Sequence, residues 1–283
     1  MKRSIGSIIL LLMFVRNSSV TQQITNIISS SDSANTQTND QQGLLKTKYK
    51  KRLEKIDHFL NELTEKKEFS GSVLISRHGQ LLLSKGYGFS DYLNLSNLNT
   101  FKTMYEIGSL TKEFTALIIL KLHEFGLVNV NKDYLSKYLP GYPHSHQIRI
   151  EMLLQHISGI KDYTELPLFE EVYVGKTYAL NELIKLFSHL PLDFKPGTKF
   201  EYSNSNYIVL GAVIKHVMSS ASTLSKLGIE DKENAYRQLL HKYILNPVKM
   251  HHTIYENGHD DNYYKEDNYR EKYQIAQGLL SVF

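Results

Sequence analysis

Hydrophobic and polar positions alternate in two distinct ways along the chain. Leu45, Tyr49, Leu53, Ile56, Phe59, Leu60 and Leu63 recur every three or four residues, the spacing of one helix face. Residues 71–76 and 81–88 read instead as two strands joined across Arg77, His78, Gly79 and Gln80, a hairpin. Past residue 105 the pattern is mostly helical. A long apolar helix is predicted over 110–125, closed by Gly126. Further helices are predicted over 149–156, ending at Ser158 and Gly159, over 179–190, stopped by Pro191, and over 207–218. Residues 226–234 read as a polar insertion and 256–270 as a tyrosine-rich charged loop, and no internal repeat is visible. Two strands do not make a stable sheet alone, so more are expected later, yet no convincing one precedes Phe283. The expected class is α/β in the α+β sense: a helical body with an incomplete antiparallel sheet.

The first 43 residues pattern differently. Met1, Lys2 and Arg3 precede an apolar run over 5–15, and no acid appears before Asp32. A short basic start followed by such a run matches a secretory signal and is short for a bilayer span. Residues 1–20 are therefore expected to be a signal peptide, with Ser18 and Ser19 as candidate cleavage positions, or an uncleaved membrane anchor. Residues 21–43, mostly Ser, Thr, Asn and Gln, cannot bury enough surface to offset their ordering entropy and read as a polar linker. The folded domain is expected over 44–283 of an exported protein, secreted, periplasmic or extracellular.

Composition narrows the chemistry. With 41% hydrophobic and 22% charged residues the 283-residue chain falls in the globular class. The net charge of +4 is scattered, which gives no electrostatic reason to expect nucleic acid. The absence of cysteine excludes disulfides, a thiol nucleophile, lipid attachment through Cys and Cys-ligated zinc or iron–sulfur sites. His144 with His146, and His251 with His252, lack a carboxylate at zincin spacing, so neither a metal nor any other cofactor is expected. Gly86, Tyr87 and Gly88 lack the strand–helix setting of a nucleotide loop, and the charge run over 260–270 suits a solvated loop.

A hydroxyl nucleophile stays open, and Ile107-Gly108-Ser109-Leu110-Thr111-Lys112 is its strongest candidate. Residues i and i+3 share a helix face, so the Lys112 nitrogen can reach the Ser109 oxygen. A helix start stabilises negative charge developing on Ser109. A lysine in an apolar, desolvated setting can lose its proton and act as a base. The same spacing also suits a solvated first-turn lysine, and Ser158 with Lys161 is a second copy of it, placed in a loop. The second element runs from Pro196 through Tyr202, Ser203 and Asn204 into the predicted 207–218 helix. A tyrosine hydroxyl beside a lysine can relay protons, and an asparagine amide can hold substrate and lysine in register. Tyr-x-Asn recurs at Tyr92 and Tyr255, so the triplet is not decisive by itself.

Taken together, these segments resemble the serine beta-lactamase and penicillin-binding-protein superfamily, in its class C-like branch of beta-lactamases, D-alanyl-D-alanine carboxypeptidases and esterases. Residues 106–116 resemble its nucleophile motif and 153–160 its LL-x-H-x-SG landmark. Residues 194–211 resemble its PG…YSN…LG segment, 246–253 its PLGM…T turn and 276–281 its AGGL-x-S segment. The resemblance, spanning about 48–283, implies a beta-lactamase/transpeptidase-like fold. It also implies Ser109 as acylated nucleophile, Lys112 as its proton acceptor, Tyr202 as general base or acid and Asn204 as substrate-positioning amide. Ser109 N–H would be one oxyanion donor. The expected activity is hydrolysis of an amide or ester (a beta-lactam, D-alanyl peptide or ester), with a small-molecule or peptide substrate as partner.

The family's third motif, a Lys or His followed by a residue and Gly on a late strand, has no good counterpart. Lys226-Leu227-Gly228 falls in the polar insertion and Arg77-His78-Gly79 in the hairpin turn. The expectation is therefore a domain without its last strands and C-terminal helix. Three accounts fit: a fragment, a protein completed by a second chain that supplies the strands, or a non-catalytic binding or assembly protein.

Overall fold

The computed structural model describes residues 41–77, 79–90, 97–167, 169 and 178–255. The predicted signal and most of the linker, the run over 260–270 and the AGGL-like segment over 276–281 lie outside them. Among the described residues the chain divides into two compact units between Glu106 and Ile107.

The first unit joins one helix to one hairpin. Helix α1 (Gln41–Glu65) buries Tyr49, Ile56, Leu60 and Leu63, the predicted face. Strands β1 (Gly71–Arg77) and β2 (Gln80–Tyr87) pair antiparallel, with Val73 opposite Lys85 and a register shift after Ile75. Period-two alternation points Val73 and Ile75 inward, where they meet Ile56, Leu60 and Tyr87. Asp57 of α1 accepts from Lys85 Nζ at 2.6 Å and from Tyr87 OH at 2.7 Å, tying helix to strand.

The second unit is helical. A 3₁₀ turn (Gly108–Leu110) leads into α2 (Thr111–Glu124), followed by α3 (Ile150–Leu154) and α4 (Leu180–Phe187). Helix α5 (Asn204–Val217) and α6 (Ala221–Leu227) come next, and α7 (Ala235–Leu239) then widens into a π-helical turn (Leu240–Leu245). Helix α5 is its axis: ten of its residues, from Ser205 to Val217, are buried. A helix apolar on nearly every side belongs in a core, and α2, α3 and α4 all pack on it. Among the described residues no single helix is long and apolar enough to cross a membrane.

Two expectations need correction. Helix α5 starts at Asn204, three residues ahead of the predicted start, because the Asp162 carboxylate accepts the Asn204 N–H at 3.1 Å and caps it from outside. The predicted polar insertion over 226–234 in fact opens in α6 and is anchored by Leu227 and Ile229, 1% and 5% exposed. Gly228, left-handed at φ +57°, closes α6. Lys242 Nζ donates to the Leu227 and Gly228 carbonyls at 2.9 and 3.0 Å, satisfying the helix end. The only sheet among the described residues is the two-stranded hairpin.

Candidate active site

Ser109 sits on the 3₁₀ turn that opens α2 rather than on the α-helix itself. Gly108 before it is left-handed at φ +51° with nothing within 4 Å of a Cβ position, so glycine serves the turn's conformation and not a close approach. The turn keeps the predicted geometry: Lys112 Nζ donates to Ser109 Oγ at 3.2 Å. Ser109 is exposed, while Lys112 is only 7% exposed. A lysine is seldom that buried without partners, and Lys112 Nζ also donates to Asn204 Oδ1 at 2.8 Å. It lies 5.2 Å from the centre of the Tyr202 ring and 5.8 Å from that of Tyr207, within cation–π range.

Ser203 is extended ahead of α5, and Tyr202 OH donates to Ser109 Oγ at 2.9 Å. All four predicted site residues therefore converge: Ser109 Oγ between Lys112 and Tyr202, and Asn204 Oδ1 receiving Lys112 and, at 3.4 Å, Tyr202 OH. The arrangement brings a lysine amine and a phenol to one hydroxyl oxygen, with an amide that fixes the lysine.

Three residues without a predicted role, Asp162, Thr164 and His156, complete the site. Asp162, 6% exposed, accepts from Asn204 Nδ2 at 2.8 Å, and Thr164 Oγ1 accepts from the same nitrogen at 3.3 Å. With its nitrogen so engaged, the Asn204 amide must turn its oxygen to Lys112. His156 stacks on Tyr202 and accepts the Ser203 N–H at 3.2 Å on Nδ1. Burial, and then the Lys112 charge, hold its pKa below the ordinary histidine value. Asp162 and His156 neighbour the Ser158 landmark in sequence, which was the available signal.

The second copy of the spacing does not form a site. Ser158 is fully buried, and Lys161 pairs with Asp193 Oδ1 at 2.6 Å. His144, His146, His251 and His252 are not gathered with other ligand types, and the described residues hold no group of three or more metal-ligating side chains.

Comparison with known proteins identifies the family. A family model described as Beta-lactamase matches residues 56–271. Protein flp of Staphylococcus aureus strain MW2 is 33% identical over 227 residues, 78% of this chain and 40% of that protein. The teichoic acid D-alanine hydrolase of Staphylococcus aureus is 34% identical over 209 residues, 74% of this chain and 44% of its own. The chain thus spans less than half the length of these curated relatives. The crystal structure of FmtA from Staphylococcus aureus superposes with a TM-score of 0.58 at 28% identity, over 92% of this chain and 62% of that one. The chain belongs to the beta-lactamase family and has its beta-lactamase/transpeptidase-like fold.

Proposed function

We propose that the chain is an exported serine hydrolase that forms an acyl-enzyme on Ser109. The observation that carries this reading is the meeting of Lys112 Nζ and Tyr202 OH on one exposed hydroxyl oxygen, at 3.2 and 2.9 Å. Lys112 or Tyr202, in its base form, takes the Ser109 proton as Oγ bonds to the substrate carbonyl carbon. The bond to the leaving amine or alcohol then breaks, and the residue that took the proton returns it to the leaving atom. Water attacks the acyl carbon by the reverse path, releasing the acid and restoring Ser109. Asn204 and Asp162 keep Lys112 in line throughout. The name of the 34%-identical teichoic acid D-alanine hydrolase favours a D-alanyl ester among the amide and ester substrates. The basic and apolar residues 1–15 favour action outside the cytoplasmic membrane.

The test is intact mass after exposure to a fluorophosphonate, which labels activated serines. The parent gains one adduct and Ser109→Ala none. No adduct on a well-folded parent overturns the reading in favour of a non-catalytic binding or assembly protein.

A further inference from the structure

Three contacts of His156 converge on Tyr202. Its carbonyl accepts the Glu201 N–H at 2.9 Å, and its Nδ1 accepts the Ser203 N–H at 3.2 Å. Its ring stacks on the Tyr202 ring, with centroids 4.5 Å and planes 26° apart. The residues before and after the tyrosine are thus bonded to the same residue that packs on its face. His156 is itself left-handed at φ +56°, uncommon outside glycine and sustained only where surrounding contacts over-determine it.

A directed chain of bonds places the proton of the ring. Ser158 Oγ accepts the Ile160 N–H at 3.0 Å and gives its own hydrogen to Asn206 Oδ1 at 2.5 Å. The Asn206 amide is thereby turned so that Nδ2 faces His156 Nδ1 at 3.3 Å. With two N–H groups aimed at it, Nδ1 is an acceptor, and Nε2 carries the hydrogen.

We propose that His156 is a positioning residue: a neutral, Nε2-protonated imidazole that holds the Tyr202 phenol at bonding distance from Ser109 Oγ. The proposal rests on the reading of Ser109 as nucleophile and Tyr202 as proton carrier. Burial and the Lys112 charge, which favour the uncharged ring, agree with it. So does the need for it: Tyr202 is 43% exposed, and the stack holds its ring from one face.

The experiment is a double-mutant cycle on the rate of fluorophosphonate acylation in the full chain. His156→Phe keeps a ring beside Tyr202 but removes the acceptor, and His156→Gln keeps an acceptor but removes the ring. Each should slow acylation by about ten- to a hundredfold, the cost of a misplaced group. Added to Tyr202→Phe, either should cost less than about twofold more, because residues acting as a unit are not additive. A fully multiplicative loss, or variants that react at the parent rate, overturns the proposal. If the variants lose their near-ultraviolet circular dichroism, histidine ¹⁵N NMR of the parent decides. A neutral ring with hydrogen on Nε2, shifted by Tyr202→Phe, sustains the proposal, and a charged or Nδ1-protonated ring overturns it. A folded parent that takes no adduct overturns the serine reading instead, and the NMR result then judges the clamp alone.

Discussion

Ser109 with Lys112 and Ser158 with Lys161 share one spacing and meet opposite fates. In the first pair the serine is exposed and the lysine buried; in the second, Ser158 is fully buried and the Lys161 side chain is 34% exposed. Backbone shape makes the difference. Residues 109–112 follow a helical path that stacks i on i+3. Residues 158–161 pass through left-handed Gly159, where a Cβ would lie 2.2 Å from the Phe194 carbonyl oxygen, and Lys161 meets Asp193 instead of its serine. The hydrogen bond and charge of Asp193 raise the Lys161 pKa, the wrong direction for a base. Of the two Ser-x-x-Lys pairs, only the one with a buried lysine and an exposed hydroxyl brings the lysine to its serine.

The comparison can be broken at either pair. Ser109→Ala should abolish the adduct and turnover while the melting temperature moves by no more than about 2 °C, since the side chain is exposed. Lys112→Ala should slow acylation by about 10²–10⁴, the usual contribution of a general acid–base group. Asp162→Ala frees the Asn204 amide to flip and should cost about tenfold or more in acylation with little change in KM, read by single-turnover kinetics. In the second pair Ser158→Ala removes a buried hydroxyl and leaves Asn206 Oδ1 without it. That should cost about 1–3 kcal/mol of stability by thermal unfolding. Lys161→Ala should stay within about 0.5 kcal/mol, as for most exposed ion pairs.

Acid adds a subtler test. The folded His156 pKa is lowered, so below its ordinary value of about 6.5 the unfolded chain takes up a proton that the folded chain refuses. Stability is therefore complete above that pH and declines as pH falls toward the folded value. Burial and Lys112 oppose protonation, the Ser203 bond and Asp162 act the other way, and the rings of Tyr202, Tyr207 and Phe200 pack against the imidazole. His241, lowered by burial and Arg237, adds a slope of the same sign. Melting curves over about pH 5–8 should show a shallower decline in His156→Phe than in the parent.

Local elements were legible in the sequence where periodicity is strong: the α1 face, the hairpin and the apolar body of α2. The four converging site residues were legible because two of them lie one helical turn apart and the others occupy one short segment. Helices α6 and α7 were not, because their few apolar residues, such as Leu227 and Leu239, gain meaning only from the core they enter. Asp162 and His156 escaped for a related reason. The Ser158 landmark marks their neighbourhood, but a carboxylate that caps a helix 42 residues away, or a ring that stacks 46 residues ahead, has no local pattern that gives its role.

The separation of the site's halves has a kinetic consequence. Lys112 and Asn204 stand 92 positions apart, and Ser109 and Tyr202 stand 93 apart. Closing a loop of that size is a late event compared with forming one helix. Helix α2 can therefore form on a growing chain with Ser109 and Lys112 in place and Tyr202 absent, so a half-synthesised molecule carries the pair without the phenol. On the proposed reading of Ser109 as nucleophile, its gain of full reactivity toward the label would time the arrival of Tyr202.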